Sequence, residues 1–176
     1  MLRSVGFSRW LLATLTLAST TLAPALARPA AAQVLGDPRF VTLLTVEQTM
    51  LDLTNADRAA NGLPPLEPDP ETMLIARERA ARQLGTEALS HYEANGELAF
   101  VRMLAEARLG YRLAGENLAR AGASDGDVSA RVEKALMDSP THRENILDKQ
   151  FDRVAIGAAI DASGQLALAE IFRGAD

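Results

Sequence analysis

The chain has 176 residues, with 18 basic and 23 acidic side chains and a formal charge of −5. That balance excludes non-specific nucleic-acid binding, which needs Lys and Arg to neutralise phosphates, and adsorption to anionic lipid headgroups. The absence of cysteine excludes thiol catalysis, Cys-based zinc sites and an acylated lipoprotein cysteine.

The first 32 residues read as a secretory signal peptide. Arg3 and Arg9 give a positive start, Trp10 to Leu22 is apolar apart from hydroxyls, and small residues follow. Cleavage is expected after Ala27 or Ala32, at A-x-A-like sites. An uncleaved N-terminal anchor is the alternative. Removing the signal takes 18 bases to 15 against 23 acids, so the mature charge is about −8. No later apolar run is long enough to span a bilayer. The product is expected to be exported, either periplasmic or extracellular. Residues 33–44 read as a lead-in and 45–176 as one domain.

Thr45 to Gln48 has a capping-box pattern, so a helix is predicted from Thr45 to about Ala60, stopping at Asn61-Gly62. Asn55 and Arg58 on this helix should tie it to a neighbouring loop. Leu63-Pro64-Pro65-Leu66-Glu67-Pro68 reads as an extended connector, because each Pro biases its predecessor away from the helix. Asp69-Pro70 then starts a second helix, with Met73, Leu74, Ala76, Ala80, Ala81 and Leu84 as its buried stripe. Arg77-Glu78-Arg79 reads as its solvated face.

A third helix is predicted over Glu97 to Leu109 and an extended segment over Tyr111 to Ala121. Asp125-Gly126-Asp127 reads as a turn. A fourth helix covers about Val128 to Met137, with Val132, Ala135 and Leu136 apolar. Ser139 should cap a short helix opening at Pro140. Val154 to Ile160 and Gln165 to Phe172, joined by Asp161-Ala162-Ser163-Gly164, carry a hairpin signal. Helices first and a hairpin last indicate α+β, with helices packed on a small antiparallel sheet.

The chain's two histidines, His91 and His142, flank Gly115-Glu116-Asn117. Imidazole titrates near neutrality and is a common metal ligand. Their spacing matches no metal, nucleophile-elbow or phosphate-loop pattern. Glu116, half-buried in a strand, needs a partner: a histidine, Arg143 or a backbone amide. Asn117 reads as fixing loop backbone through its amide, and Arg143 as a structural ion-pair donor.

Taken in order, the motifs resemble a known family. Asn55-x-x-Arg58-x-x-x-Gly62-Leu63-x-x-Leu66, then Ser90-His91, then Gly110-Tyr111 with Gly115-Glu116-Asn117-Leu118-Ala119 are its pieces. Ser139-Pro140-x-His142-Arg143-x-Asn145-Ile146-Leu147 and Phe151-x-x-Val154-x-Ile156-Gly157 complete the set. The set is similar to the bacterial CAP (SCP-like) family, named from cysteine-rich secretory proteins, antigen 5 and pathogenesis-related proteins. The resemblance implies an α-β-α sandwich and a shallow cleft facing His91, Glu116 and His142. Family members can hold a divalent metal there, often zinc. It also marks two departures. The second glutamate of the family's tetrad falls on Ser139, beside Asp138 and short of Glu144. An aromatic common three residues earlier is Leu136.

The leading expectation is an exported, non-enzymatic binding module for a lipid, an envelope component or a protein. One alternative is a metal-dependent hydrolase, with zinc on His91, Glu116 and His142, or with Glu116 or Glu144 as general base. Another is a structural envelope protein.

Overall fold

The structure, a computed structural model, describes residues 38–122 and 127–174, with side chains from residue 43 onward. The signal-peptide reading and most of the Asp125-Gly126-Asp127 turn lie outside the described residues. No described helix is long and apolar enough to cross a membrane.

The first helix, α1, spans Pro38–Ala60. It begins earlier than the capping-box pattern predicted, and most of the expected lead-in is helical. The Thr45 region lies within a running helix, where the nearby amides already have intrahelical partners. Gln48 therefore donates to Asp52 at 2.9 Å instead of reaching back to a cap. The predicted stop is present. Gly62 has φ +71°, and Leu63 N–H donates to Arg58 C=O at 3.0 Å while Gly62 N–H donates to Ala59 C=O at 3.0 Å. This is a Schellman ending, which needs a left-handed residue that glycine supplies without Cβ strain.

Asn55 then clamps the connector, donating to Leu66 C=O at 3.1 Å and accepting from Leu66 N–H at 2.7 Å. The connector contributes β1, Glu67–Pro68. Asp69 accepts from the Thr72 amide at 3.3 Å and hydroxyl at 2.7 Å. Helix α2 follows over Met73–Arg82, and α3 over Ala99–Glu106. The third helix is shorter than predicted at both ends. Leu98 bridges to Tyr92 at its start, and Arg108 takes a left-handed conformation (φ 58°) just past its end. Strand β2 is Leu113–Gly122. Asp127 caps α4, Val128–Asp138, by accepting from Ala130 N–H at 3.1 Å. Helix α5 is Pro140–Ile146, and the Ser139 side chain makes no cap bond to it. The hairpin β3, Arg153–Ile160, and β4, Gln165–Gly174, closes the chain.

The sheet order is β1-β3-β4-β2. β3–β4 and β2–β4 are antiparallel, and the two-residue β1 joins β3 in parallel. Alternation along the hairpin separates two layers. Val154, Ile156, Leu166, Leu168 and Phe172 pack with Met50, Val132, Leu136 and Ile146 of α1, α4 and α5. Ala155 and Ile171 pack on the other face with Ile75, Ala76, Phe100, Met103 and Leu104 of α2 and α3. The expected α-β-α sandwich is the observed architecture.

Three stripe assignments are corrected. Leu74 is 73 % exposed and Ala81 is exposed as well, whereas Ile75, Ala76, Arg79 and Ala80 are buried. The contact that sets this rotation is Gly157 on β3, where a Cβ would overlap the backbone of Ala76 and Arg77. The helix lies on the sheet backbone to backbone, so the small residues face inward. On α4, Glu133 takes the buried position expected of Ala135.

Candidate functional site

Strand β2 is one edge of the sheet, opposite the two-residue β1, and its Gly-Glu-Asn triplet joins the two helical layers. Gly115 lies against α5: a Cβ there would meet Asn145 Oδ1 at 2.8 Å and the Phe151 ring at 3.1 Å. Glu116 turns toward the α2 layer and Asn117 toward α5, as successive strand residues must.

Glu116 is anchored by a residue that the charge run had concealed. Arg79 Nε donates to Glu116 Oε1 at 2.6 Å, and Arg79 Nη2 donates to Oε2 at 3.1 Å. His91 Nδ1 lies 2.7 Å from the same Oε2. The Glu116 side chain is fully buried and Arg79 is 3 % exposed. A carboxylate held by a guanidinium is an acceptor only, so His91 donates from Nδ1, and in the neutral ring Nε2 is left as the acceptor. Arg79 Nη2 also donates to Ser90 C=O at 2.7 Å, fixing the loop that carries His91. Ala99 N–H donates to His91 C=O at 2.9 Å and ties that loop to α3.

The reading of Arg77-Glu78-Arg79 as a solvated face is therefore corrected. Arg79 points into the sandwich, and Arg77 pairs with the buried Glu47 at 2.6 and 2.8 Å. The available signal was spacing. Arg79 lies three residues after Ala76 and four before Gln83, on the buried stripe.

His142 comes from the other layer. Burial, and then the charge of His91, hold its imidazole below its usual pKa. The pair therefore lies within electrostatic range across the sheet edge. Asn117 Nδ2 donates to His142 C=O at 3.1 Å, and Asn145 Nδ2 donates to Asn117 Oδ1 at 2.9 Å. Asn117 thus fixes backbone, as expected. Arg58, fully buried, donates to the carbonyls of Ile146 at 2.8 Å and Asp148 at 3.0 Å. It satisfies orphan carbonyls at the end of α5 and sets where His142 stands. Arg143 and Glu144 are exposed on α5, and Arg143 forms no ion pair among the described residues.

Behind Asn117 lies a buried acidic cluster. Asn117 Nδ2 also donates to Glu170 Oε2 at 3.0 Å. The Thr54 hydroxyl is within reach of Glu170 Oε1 at 3.2 Å and Glu133 Oε2 at 3.3 Å. Glu133 Oε1 faces no donor. Burial, with the charges of Glu170 and Asp57, pushes Glu133 up to about 9, so it is protonated at neutrality. Burial raises Glu170 to about 7, against the hydrogen bonds from Asn117 and Thr54. A signal existed here too. Glu170 shares parity with the core residues Leu168 and Phe172, so a carboxyl falls on a buried face.

As a metal centre, this donor set fits poorly. Both Glu116 oxygens already accept from nitrogen donors, which leaves two imidazoles as free ligands. Among the described residues, no three His, Asp or Glu side chains are arranged to hold a metal ion. A groove of about 280 Å³ between α1 and α2, lined by Leu44, Leu51, Met73 and Ile156, contains none of the site residues.

Fold and site together define a small α-β-α sandwich with an imidazole–carboxylate site on its β2 sheet edge. A family model described as the cysteine-rich secretory protein family, CAP, matches residues 51–172, and the chain belongs to that family. The uncharacterized protein YkwD of Bacillus subtilis (strain 168) is 31 % identical over 111 residues, covering 63 % of this chain and 41 % of its own. An extracellular protein containing a SCP domain from Bacillus anthracis str. Ames superposes with TM-score 0.62 at 28 % identity, covering 78 % of this chain and 43 % of that one. An outer surface protein from Borrelia burgdorferi shares the fold at TM-score 0.62 and 18 % identity, covering 75 % of this chain and 94 % of its own. The chain spans less than half the length of the two Bacillus proteins.

Proposed function

We propose that this chain is an exported CAP-domain binding module, taking a lipid, an envelope component or a protein at the β2 edge without transforming it. The occupancy of Glu116 supports this reading. A general base needs a carboxylate oxygen within reach of the attacking water. Here both oxygens accept from Arg79 or His91 at 2.6–3.1 Å, and the side chain is fully buried away from water. What remains facing outward suits recognition. His91 Nε2 accepts hydrogen bonds, and Leu89 and Tyr92 on either side of it are 38 % and 60 % exposed. Apolar contact with a few placed polar groups is the usual chemistry of a ligand site. Export is inferred from the N-terminal Arg3–Ala32 pattern.

The test is a binding screen on the chain lacking residues 1–32. Phospholipid vesicles and cell-wall glycan fragments are offered to wild type and to a His91→Ala, His142→Ala double variant. Binding that the double variant loses is the expected result. Ester or glycoside hydrolysis with no binding above background overturns the reading.

A further inference from the structure

We infer that Arg79 is the fixed cation of this cleft, filling at Glu116 the charge-neutralising place that a divalent metal takes in a three-donor site. Three observations carry it. The guanidinium supplies donors to both Glu116 oxygens, at 2.6 and 3.1 Å, with the pair almost wholly removed from water. Displacing it for a hydrated metal would strand a buried charge, which costs far more than losing an exposed one.

Arg79 is also tethered. Its Nη2 is held by Ser90 C=O at 2.7 Å, and α2 rests directly on Gly157, which sets how closely the helix lies on the sheet. Finally, the third donor to Glu116 is His91 Nδ1 at 2.7 Å. That bond is the one that orients a metal-binding imidazole from behind. With Arg79 fixing both its oxygens, Glu116 is held behind His91 rather than beside it, and only release from Arg79 would let the carboxylate turn to the metal side. With the positive charge buried behind Glu116, His91 Nε2 recognises by accepting a hydrogen bond. This favours a ligand that presents neutral hydroxyl or amide donors. That last step rests on the reading of the cleft as a binding site; the assignment of Arg79 does not.

The experiment is calorimetric titration of zinc chloride into the chain lacking residues 1–32. Wild type is expected to show no saturable binding. Arg79→Met frees Glu116 and is expected to gain one zinc per chain, and the added Glu116→Gln change is expected to abolish it. Stoichiometric zinc binding by wild type that is lost in His91→Ala overturns the proposal. So does a folded Arg79→Met protein that gains none. If Arg79→Met does not fold, nitrogen-15 spectra of wild-type His91 decide. A proton on Nδ1 and a free Nε2, unchanged by excess zinc, is the expected result, and a zinc-dependent shift at Nε2 overturns it. The ligand screen can fail while this result stands, and zinc binding by wild type can overturn this proposal while the binding-module reading stands.

Discussion

Glu116 and Asn117 are neighbours on β2, yet they hold opposite layers of the sandwich. Glu116 receives Arg79 of α2 at 2.6 Å, and Asn117 donates to His142 C=O of α5 at 3.1 Å. Strand alternation puts one side chain on each face, so two adjacent residues on the edge strand gather the two histidines from distant parts of the chain.

The Arg79–Glu116 pair should behave as an energetic unit. Arg79→Met alone leaves a buried carboxylate with the His91 ring as its remaining partner and is expected to cost about 3–5 kcal/mol of unfolding free energy. Glu116→Leu alone leaves a buried guanidinium with Ser90 C=O as its remaining partner. The double variant should be less destabilised than the sum of the singles, with a coupling of about 1–3 kcal/mol. Urea denaturation of the four proteins measures this, and simple additivity would count against the pair.

Stability should fall as pH rises from 6 to 9. Glu170, raised to about 7, and Glu133, raised to about 9, bind protons in the folded chain that the unfolded chain has released. Their contribution is fully present below the ordinary glutamate range and is lost as pH climbs through the folded values. Thermal melts should show a drop of roughly 4 °C or more, the scale of about 1 kcal/mol in a domain of this size. Glu133→Gln keeps the shape and removes the titration, so its melting temperature should change less over the same range.

Gly157→Ala tests the contact that orients α2. A Cβ at this position overlaps the backbone of Ala76 and Arg77, and backbone cannot rotate away. The expected loss is about 2–3 kcal/mol. Because α2 carries Arg79, the His91 ring resonances should shift as well. Unchanged stability together with unchanged His91 resonances would contradict the packing.

His142 should titrate below the ordinary histidine value of 6.5. Burial is the larger cause and the charge of His91 the smaller. Its contribution to stability is present above 6.5 and is lost as pH falls, because the unfolded chain takes up the proton first. Proton NMR should show the midpoint rising when His91 is replaced by Gln. No movement would mean that the imidazoles do not sense each other.

Much of this was legible in advance. The Asn61-Gly62 stop and the terminal hairpin follow from local preference, which depends on residues close in sequence. The Asn55 and Arg58 clamps were anticipated because the ordered motifs placed them. The start of α1 was not. The Thr45–Gln48 pattern is a valid cap signal, but a helix already begun at Pro38 makes it redundant.

Composition and ordered motifs determined the family, the α+β class and the neighbourhood of His91, Glu116 and His142, since each piece is a short local pattern. Only the tertiary structure decided what Glu116 faces. Arg79 lies 37 residues away along the chain, and a charged triplet on a helix looks solvated until the approach of Gly157 fixes the helix's rotation. The same holds for Glu133 and Glu170, which meet through Thr54 from three separate elements. Burial and pairing are properties of packed layers, and a one-dimensional pattern cannot say which layer arrives.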